Sequence, residues 1–91
     1  MEFEWDDNNL EHLGRHGITP AEVEELFQRA TIRQRGGTDA SDRFRVLGRT
    51  SAGRYLAIVY QLKGNSLVRL FTGWDMDPTE RSLYERQTRH G

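Results

Sequence analysis

The sequence predicts an α+β fold, with an antiparallel β-sheet of about four strands, two helices before the sheet and one after it, and the helices packed on one face of the sheet. Two observations carry this prediction. Helix start signals and helical spacing occur near the two ends of the chain, whereas residues 43–74 hold runs of strand formers joined by short turns. The 91 residues suit one domain, residues 1–91, with a modest core.

The N-terminal part predicts a short strand and two helices. Residues 3–5 alternate apolar, polar and apolar, as a strand does. Asp6 is placed to cap a helix that runs to Gly14, and Gly17 marks a stop beyond it. Residues 19–22, Thr-Pro-Ala-Glu, combine a capping box with proline at the first helical position, so they start a second helix.

The rest of the chain predicts hairpin-linked strands. From Ile32 the pattern is a strand end followed by a loop that contains two glycines. Residues 43–50 alternate between apolar residues and arginines, and residues 67–74 form the last strand. Residues 54–62 are apolar on both faces, which predicts the central strand of the sheet.

The C-terminal segment predicts one further helix. Asp77, Pro78 and Glu80 repeat the pattern of N-cap, proline and capping-box glutamate. The helix is expected to fray into a basic tail at residues 87–91.

Composition excludes several classes of protein. The chain has no cysteine, which excludes disulfides, thiol catalysis and cysteine-ligated zinc. No apolar run approaches the ~20 residues of a membrane helix, and the acidic N-terminus lacks the features of a signal peptide. We therefore expect a cytoplasmic protein with no membrane partner.

Charge is divided unevenly along the chain. Residues 1–27 carry eight acidic residues against the single base Arg15, a net charge of −7, whereas residues 28–73 carry nine bases against two acids, a net charge of +7. Twelve of the thirteen bases are arginine, whose planar donors suit phosphate and carboxylate. Acidic helices that neutralise a basic sheet, and a basic surface for a polyanion, both remain open.

A cluster of His12, Arg15 and His16 lies at the predicted end of the first helix. It could be a metal pair, a nucleic-acid contact, a catalytic acid or a helix cap. The spacing of the histidines allows a shared metal, but no glutamate lies between them as in H-E-x-x-H and no third ligand is evident. No metal or other cofactor is therefore predicted.

Three stretches together resemble the BrnT-type toxins of bacterial type II toxin–antitoxin systems: FEWDDNNLEHLGRHGITPAEVEELF, RFRVLGRTSAGRYLAIVY and VRLFTGWDMDPTERSLYE. The resemblance spans nearly the whole chain. It rests on the order of the Trp5-Asp6 start, the Arg15-His16-Gly17 turn, the strand with Arg43 and Gly48, and the Glu80 to Tyr84 helix. The family's RIISAR strand corresponds to RLFTGW here, so Arg69 matches its first arginine and Trp74 replaces its last, which suggests a divergent branch.

The resemblance implies a fold similar to that of the RelE-type ribonucleases, cleavage of RNA without a metal, and neutralisation by a DNA-binding antitoxin encoded nearby. Such cleavage needs a base for the 2′-hydroxyl proton, an acid for the leaving 5′-oxygen and cations for the phosphate. The candidate catalytic residues are His16, Asp42, Arg43 and Arg69. The candidate RNA-binding residues are Arg15, Arg45, Arg49, Trp74 and Tyr84.

Each candidate also has a purely structural interpretation. His16 could cap helix carbonyls, the arginines could form a solvated face paired with carboxylates, and Trp74 and Tyr84 could lie at the edge of the core. Two other functions stay open for the same reason. One is a catalytically weak binding module of the same fold, and the other is a small regulatory protein that binds nucleic acid or an acidic partner through its arginines. Self-association is left undetermined.

Overall fold

A computed structural model describes residues 2–29, 31–35, 43–64 and 66–89. The elements are β1 Glu2–Glu4, α1 Asp7–Gly14, α2 Pro20–Gln28, β2 Ile32–Arg35, β3 Arg43–Arg49, β4 Tyr55–Lys63, β5 Leu67–Asp75 and α3 Pro78–Thr88. The α+β class and the predicted order of strands and helices are confirmed. Asp42 and the last two residues of the tail lie outside the described residues.

The elements build one five-stranded sheet in the order β1-β5-β4-β3-β2. Strands β2 to β5 pair antiparallel, and β1 adds a fifth, parallel strand beside β5. The predicted count of about four strands is therefore one short. The prediction that residues 54–62 form the central strand is confirmed, because β4 has two strands on each side.

Cross-strand register divides the sheet into two faces. Val46, Ile58 and Gly73 form one row across β3, β4 and β5, and we call the face they share the back face. Arg43, Gln61 and Arg69 form a row on the opposite side, which we call the front face. Directly paired residues point to the same side of a sheet, so the paired residues of the three strands can be assigned in this way.

Helices α1 and α2 cover the back face. Their buried residues Leu13, Val23 and Leu26 belong to one core cluster with the back-face residues of the strands. Two glycines let the helices lie close to the sheet. A Cβ on Gly48 would lie 2.7 Å from Leu26 Cγ of α2, and one on Gly73 would lie 3.0 Å from Leu13 Cδ2 of α1 as well as 2.6 Å from Ile58 Cδ1. The two shorter contacts are too close for a side chain.

All three helices start as their capping residues predict. The N-caps Asp6, Thr19 and Asp77 each accept a hydrogen bond from the backbone of the third helical residue, whose side chain bonds back to the N-cap. A capping box of this kind satisfies two helix-end N–H groups at once. No helix in the described part of the chain is both long and apolar enough to cross a membrane.

Helix α3 lies on the front face, so the expectation that all helices share one face is wrong. Its Glu80 carboxylate accepts a hydrogen bond from Arg45, and its Tyr84 packs edge-on against Tyr55. Arg45 and Tyr55 both belong to the front face by register. The front face has an apolar patch, with Leu47 and Ala57 fully buried, and that patch requires a cover of its own.

Candidate nucleic-acid interface

The part of the front face that α3 leaves open carries a row of charged residues. Glu4, Arg69, Gln61 and Arg43 are cross-strand partners on β1, β5, β4 and β3. Sequence analysis placed Arg43, Arg45 and Arg49 on one strand face, and the register confirms this. It also shows that Arg69 shares that face, because Arg43 and Arg69 both pair with Gln61.

An irregularity in β5 places an aromatic ring between these two arginines. Val59 pairs with Thr72 and the next residue, Tyr60, pairs with Leu70, so Phe71 is the extra residue of a β-bulge. Bulges redirect a side chain locally. The guanidinium carbon of Arg43 lies 4.2 Å from the centre of the Phe71 ring, and that of Arg69 lies 5.9 Å from it. We call Arg43, Arg69 and Phe71 the Arg–Phe cluster.

The cluster keeps cationic donors accessible. Arg43 is exposed, and within the described ranges no carboxylate lies at ion-pair distance from it. Arg69 has only a loose contact with Glu4, whose Oε1 lies 3.7 Å from its guanidinium and equally far from Lys63 Nζ. That Oε1 is buried and accepts no hydrogen bond in the described part of the chain. Stacking on the ring holds both guanidinium groups without using their N–H donors.

A cleft adjoins the cluster where β1 ends and α1 begins. It has a volume of about 330 Å³. Its lining consists of Asp6, Asn8, Asn9, His12, Arg69, Leu70, Phe71 and Thr72. We call it the α1 cleft. Because it shares Arg69 and Phe71 with the Arg–Phe cluster, the two form one continuous surface.

Within the α1 cleft, the capping residues are already engaged. Asp6 Oδ1 accepts the backbone N–H of Asn9 at 2.8 Å, and the Asn9 amide donates to the Glu4 carbonyl at 2.7 Å. These bonds hold the start of α1 against β1. Among the described residues of α1 that line the cleft, His12 is the one titratable residue that is half buried. It therefore places an imidazole in the same cleft as Arg69.

The structure places His16 elsewhere. His16 lies in the turn between α1 and α2, and its carbonyl accepts a hydrogen bond from Arg54 at 2.7 Å. Arg54 in turn contacts Asp75, and Asp75 pairs with Leu56. Leu56 and Gln61 lie toward opposite ends of β4. The strand between Leu56 and Gln61 covers about 16 Å at ~3.3 Å per residue. The predicted site with His16 beside Arg43 and Arg69 is not formed.

Arg15, the residue before His16, lies at the same end of the molecule. Its guanidinium binds Glu11 at 2.6 Å on the exposed surface of α1. Arg15 therefore does not face the Arg–Phe cluster. Asp42, the fourth candidate for catalysis, lies outside the described residues.

Two of the candidate RNA-binding residues have their polar groups bound by α3. Arg45 donates to Glu80 at 2.9 Å and to the Gln34 side chain. The indole N–H of Trp74 donates to the same Glu80 at 2.9 Å. Glu80 is 7% exposed, so its carboxylate is buried and needs these donors. The Trp74 ring stays half exposed on the front face.

The role of Arg54 was not predicted from the sequence. It donates to the carbonyls of His16 and Gly17, each at 2.7 Å, and to Glu22 and Asp75. The hydrogen bond from Arg54 holds the pKa of Asp75 below the usual range, with further lowering from the charges of Arg54 and His16, while partial burial opposes them. Arg54 thus clamps the α1–α2 turn to the sheet. The local signal in the sequence was Gly17, which has a φ of 66°. A glycine of this kind follows a helix end, where carbonyl groups are left without helical partners.

Arg49 and Tyr84 come together in a second groove at the far end of the front face. No group of three or more histidine and carboxylate side chains that could hold a metal occurs among the described residues. Comparisons with models of protein families and with curated proteins found no match to this chain.

Proposed function

We propose that this chain is a metal-independent endoribonuclease and the toxin of a type II toxin–antitoxin pair. The observation that carries the proposal is the Arg–Phe cluster opening onto the α1 cleft. Arg43 and Arg69 hold their guanidinium groups against the Phe71 ring, and His12 lines the α1 cleft together with Arg69. Among the described residues Arg43 has no carboxylate at ion-pair distance, and Arg69 has Glu4 at 3.7 Å. The resemblance to the BrnT-type toxins supports the same function.

The proposed reaction assigns each of these groups a role. The 2′-oxygen of the RNA attacks the adjacent phosphorus as the P–O5′ bond breaks, leaving a 2′,3′-cyclic phosphate and a 5′-hydroxyl. Arg43 and Arg69 stabilise the charge on the phosphate oxygens. The 2′-hydroxyl proton passes to a carboxylate, for which Asp6, whose Oδ1 caps α1, offers its second oxygen, and His12 protonates the leaving 5′-oxygen.

The choice between the two histidines provides the sharpest test. His12→Gln should lower the rate of RNA cleavage by about 10²-fold or more, in the range of general acid catalysis. His16→Gln is the matched control, because it makes the same substitution at the far end of the molecule. This variant should cleave RNA at the wild-type rate. Cleavage of a fluorescent RNA by purified protein in a chelator measures both. If His16→Gln were the inactive variant, the assignment of the site would be wrong.

A catalytically weak binding module is the second candidate function. The observation in its favour is that Arg45 and Trp74, on the same face, are bound to Glu80 and unavailable to a phosphate. Such a module should bind RNA at the Arg–Phe cluster without cutting it. Inducing the gene in a bacterium while following growth and RNA integrity separates the two functions, because only the nuclease arrests growth with fragmented RNA.

The toxin proposal requires an inhibitor, and we propose a cognate DNA-binding antitoxin in the same cytoplasmic compartment. It should present carboxylates to the Arg–Phe cluster and apolar side chains to Phe71, Leu67 and Tyr55, which are half exposed. Apolar anchors supply most of the affinity of an interface, whereas charge speeds the encounter.

Salt dependence tests the position of the antitoxin. Exposed charges are screened over about 10 Å at 0.1 M salt, so the association rate should fall as salt rises. The complex should also no longer bind RNA. A rate that does not respond to salt, or a complex that binds RNA as well as the free chain, would place the antitoxin on another surface.

A further inference from the structure

A second basic groove lies at the opposite end of the front face. Its lining consists of Arg49, Tyr55, Tyr84, Glu85, Thr88 and Arg89, and its volume is about 400 Å³. We call it the tyrosine groove. Tyr55 and Tyr84 form its aromatic walls, with ring centres 5.9 Å apart and planes at 84°.

The tyrosine groove repeats the arrangement of the Arg–Phe cluster. The guanidinium carbon of Arg81 lies 4.0 Å from the centre of the Tyr55 ring, and that of Arg49 lies 5.4 Å from it. An aromatic ring contacted by two arginines therefore occurs at each end of the front face. Two like charges held at one ring repel each other, and a bound anion relieves that repulsion.

The charge balance of the groove favours an anion. The exposed Arg49 and Arg89 line it, and the exposed Arg81 lies against the Tyr55 ring that forms one of its walls. The opposing charge is Glu85, whose carboxylate lies 3.9 Å from Arg81 on an exposed helix surface, where an ion pair contributes little. Three cations against one carboxylate leave an excess of positive charge beside the two tyrosine rings.

Both basic sites lie on the same face and along the same strand. Gln61, the partner of Arg43 and Arg69, and Tyr55, the partner of Arg49, are both residues of β4. The strand between them covers about 20 Å at ~3.3 Å per residue. Between the two sites the front face shows the half-exposed side chains of Thr72, Val59 and Trp74, whereas Leu47 and Ala57 lie buried under α3.

We propose that the tyrosine groove is a second nucleotide subsite, and that single-stranded RNA bound at the Arg–Phe cluster extends beside α3, over Thr72, Val59 and Trp74, into it. This inference rests on the RNA-binding part of the proposed function. The gap corresponds to at most about six nucleotides at the ~3.4 Å spacing of a stacked strand. Phosphates meet the arginines at both ends, and bases meet the rings of Phe71, Trp74 and Tyr84.

The alternation of rings and guanidinium groups favours single-stranded RNA over an acidic peptide. A peptide supplies carboxylates but no flat bases for the aromatic rings. A single strand supplies a phosphate and an exposed base at every step, and stacking on aromatic rings tolerates any base. A helical duplex would present its bases inward and leave the rings unused.

The test compares short and long probes that cannot be cleaved. Fluorescent 2′-O-methyl oligonucleotides lack the attacking hydroxyl, so binding is measured independently of cleavage. The octanucleotide should bind more tightly than the dinucleotide. Arg49→Gln with Arg81→Gln should weaken octanucleotide binding by about tenfold and reduce its salt slope by roughly 1.4, at ~0.7 for each lost phosphate contact. Dinucleotide binding, confined to the Arg–Phe cluster, should not change.

A matched variant controls for net charge. Arg29→Gln with Arg86→Gln removes two positive charges outside both sites, and it should bind the octanucleotide like the wild-type chain. Thermal unfolding of both double variants checks that each one folds. A groove variant with wild-type octanucleotide affinity, or one whose loss equals that of the control, would overturn the proposal. So would a groove variant that loses binding only to a polyglutamate peptide, because the groove would then belong to an acidic protein partner.

Failure of the proposed function has a different signature. If the chain binds the octanucleotide through both sites but leaves ordinary RNA intact, the second subsite stands and the nuclease assignment falls. If ordinary RNA is cut but affinity is the same for both probe lengths, the nuclease assignment stands and the second subsite falls.

Discussion

Arg54 and Arg43 are the same side chain in opposite situations. Arg54 donates to two backbone carbonyls and contacts two carboxylates, so its donors are used within the fold. Arg43 rests on the Phe71 ring at 4.2 Å and keeps its donors exposed. The comparison shows that the count of arginines says little about a binding surface. What matters is which guanidinium groups the fold has already satisfied.

The largest expected effect comes from the open arginines. Arg43→Ala with Arg69→Ala should lower RNA cleavage by about 10³-fold or more, because two cations that stabilise the transition state are lost. The free energy of unfolding should change by only about 1 kcal/mol, since exposed cation–π contacts contribute little. Single-turnover cleavage and urea unfolding measure the two quantities. A large loss of stability with full activity in the folded fraction would make these arginines structural.

The opposite pattern is expected for the clamp. Arg54→Ala should lower the free energy of unfolding by about 2–4 kcal/mol, because several charge-assisted hydrogen bonds are lost together. Cleavage per folded molecule should stay near the wild-type value. Arg15→Ala is the matched control on the same turn. Its exposed ion pair with Glu11 is worth at most about 0.5 kcal/mol, so chemical denaturation should barely distinguish it from wild type.

Arg45 tests the intermediate case, a front-face arginine bound by α3. Arg45→Met should cost about 1–2 kcal/mol of stability, because the buried Glu80 carboxylate loses a donor. Adding Glu80→Gln should recover part of that loss, since the uncompensated charge is then removed. A double-mutant cycle measures the coupling. Zero coupling would mean that Arg45 is as free as Arg43.

The smallest expected effect is a pH dependence at the clamp. The pKa of Asp75 is lowered mainly by its hydrogen bond from Arg54, so it is lower in the folded chain than in the unfolded one. Its contribution to stability is present above the ordinary aspartate value and is lost as pH falls through the lowered value, below about pH 4. Asp75→Asn should flatten the stability profile in that window. An unchanged profile would exclude the Arg54–Asp75 contact as its cause.

The uneven charge along the chain has two structural outcomes. Part of it is neutralised internally, since Glu22 pairs with Arg54 and Glu25 with Arg29. The Arg–Phe cluster and the tyrosine groove are the parts that remain basic. Both interpretations of the charge pattern therefore hold, each for a different set of arginines.

The histidines show the limit of sequence reasoning most clearly. His12 and His16 are four residues apart, and helical spacing alone places them on one side of a single helix. In the structure α1 ends at Gly14, so His16 lies in the turn that follows the helix. His12 lies on the helix and lines the same cleft as Arg69. The predicted end of the helix at Gly14 is confirmed, but only the packing of α1 against β5 decided which histidine lies beside the cluster.

The sequence by itself determined the class of fold, the order of its elements, the starts of all three helices and the side of β3 on which its arginines lie. These properties depend on local rules, because caps, turns and alternation involve residues close together in the chain. Only the tertiary structure decided that α3 covers the front face, that Phe71 is bulged between two arginines and that Arg54 is saturated. Those outcomes depend on contacts between distant residues, such as Arg45 with Glu80, and on a register shift that local periodicity does not encode.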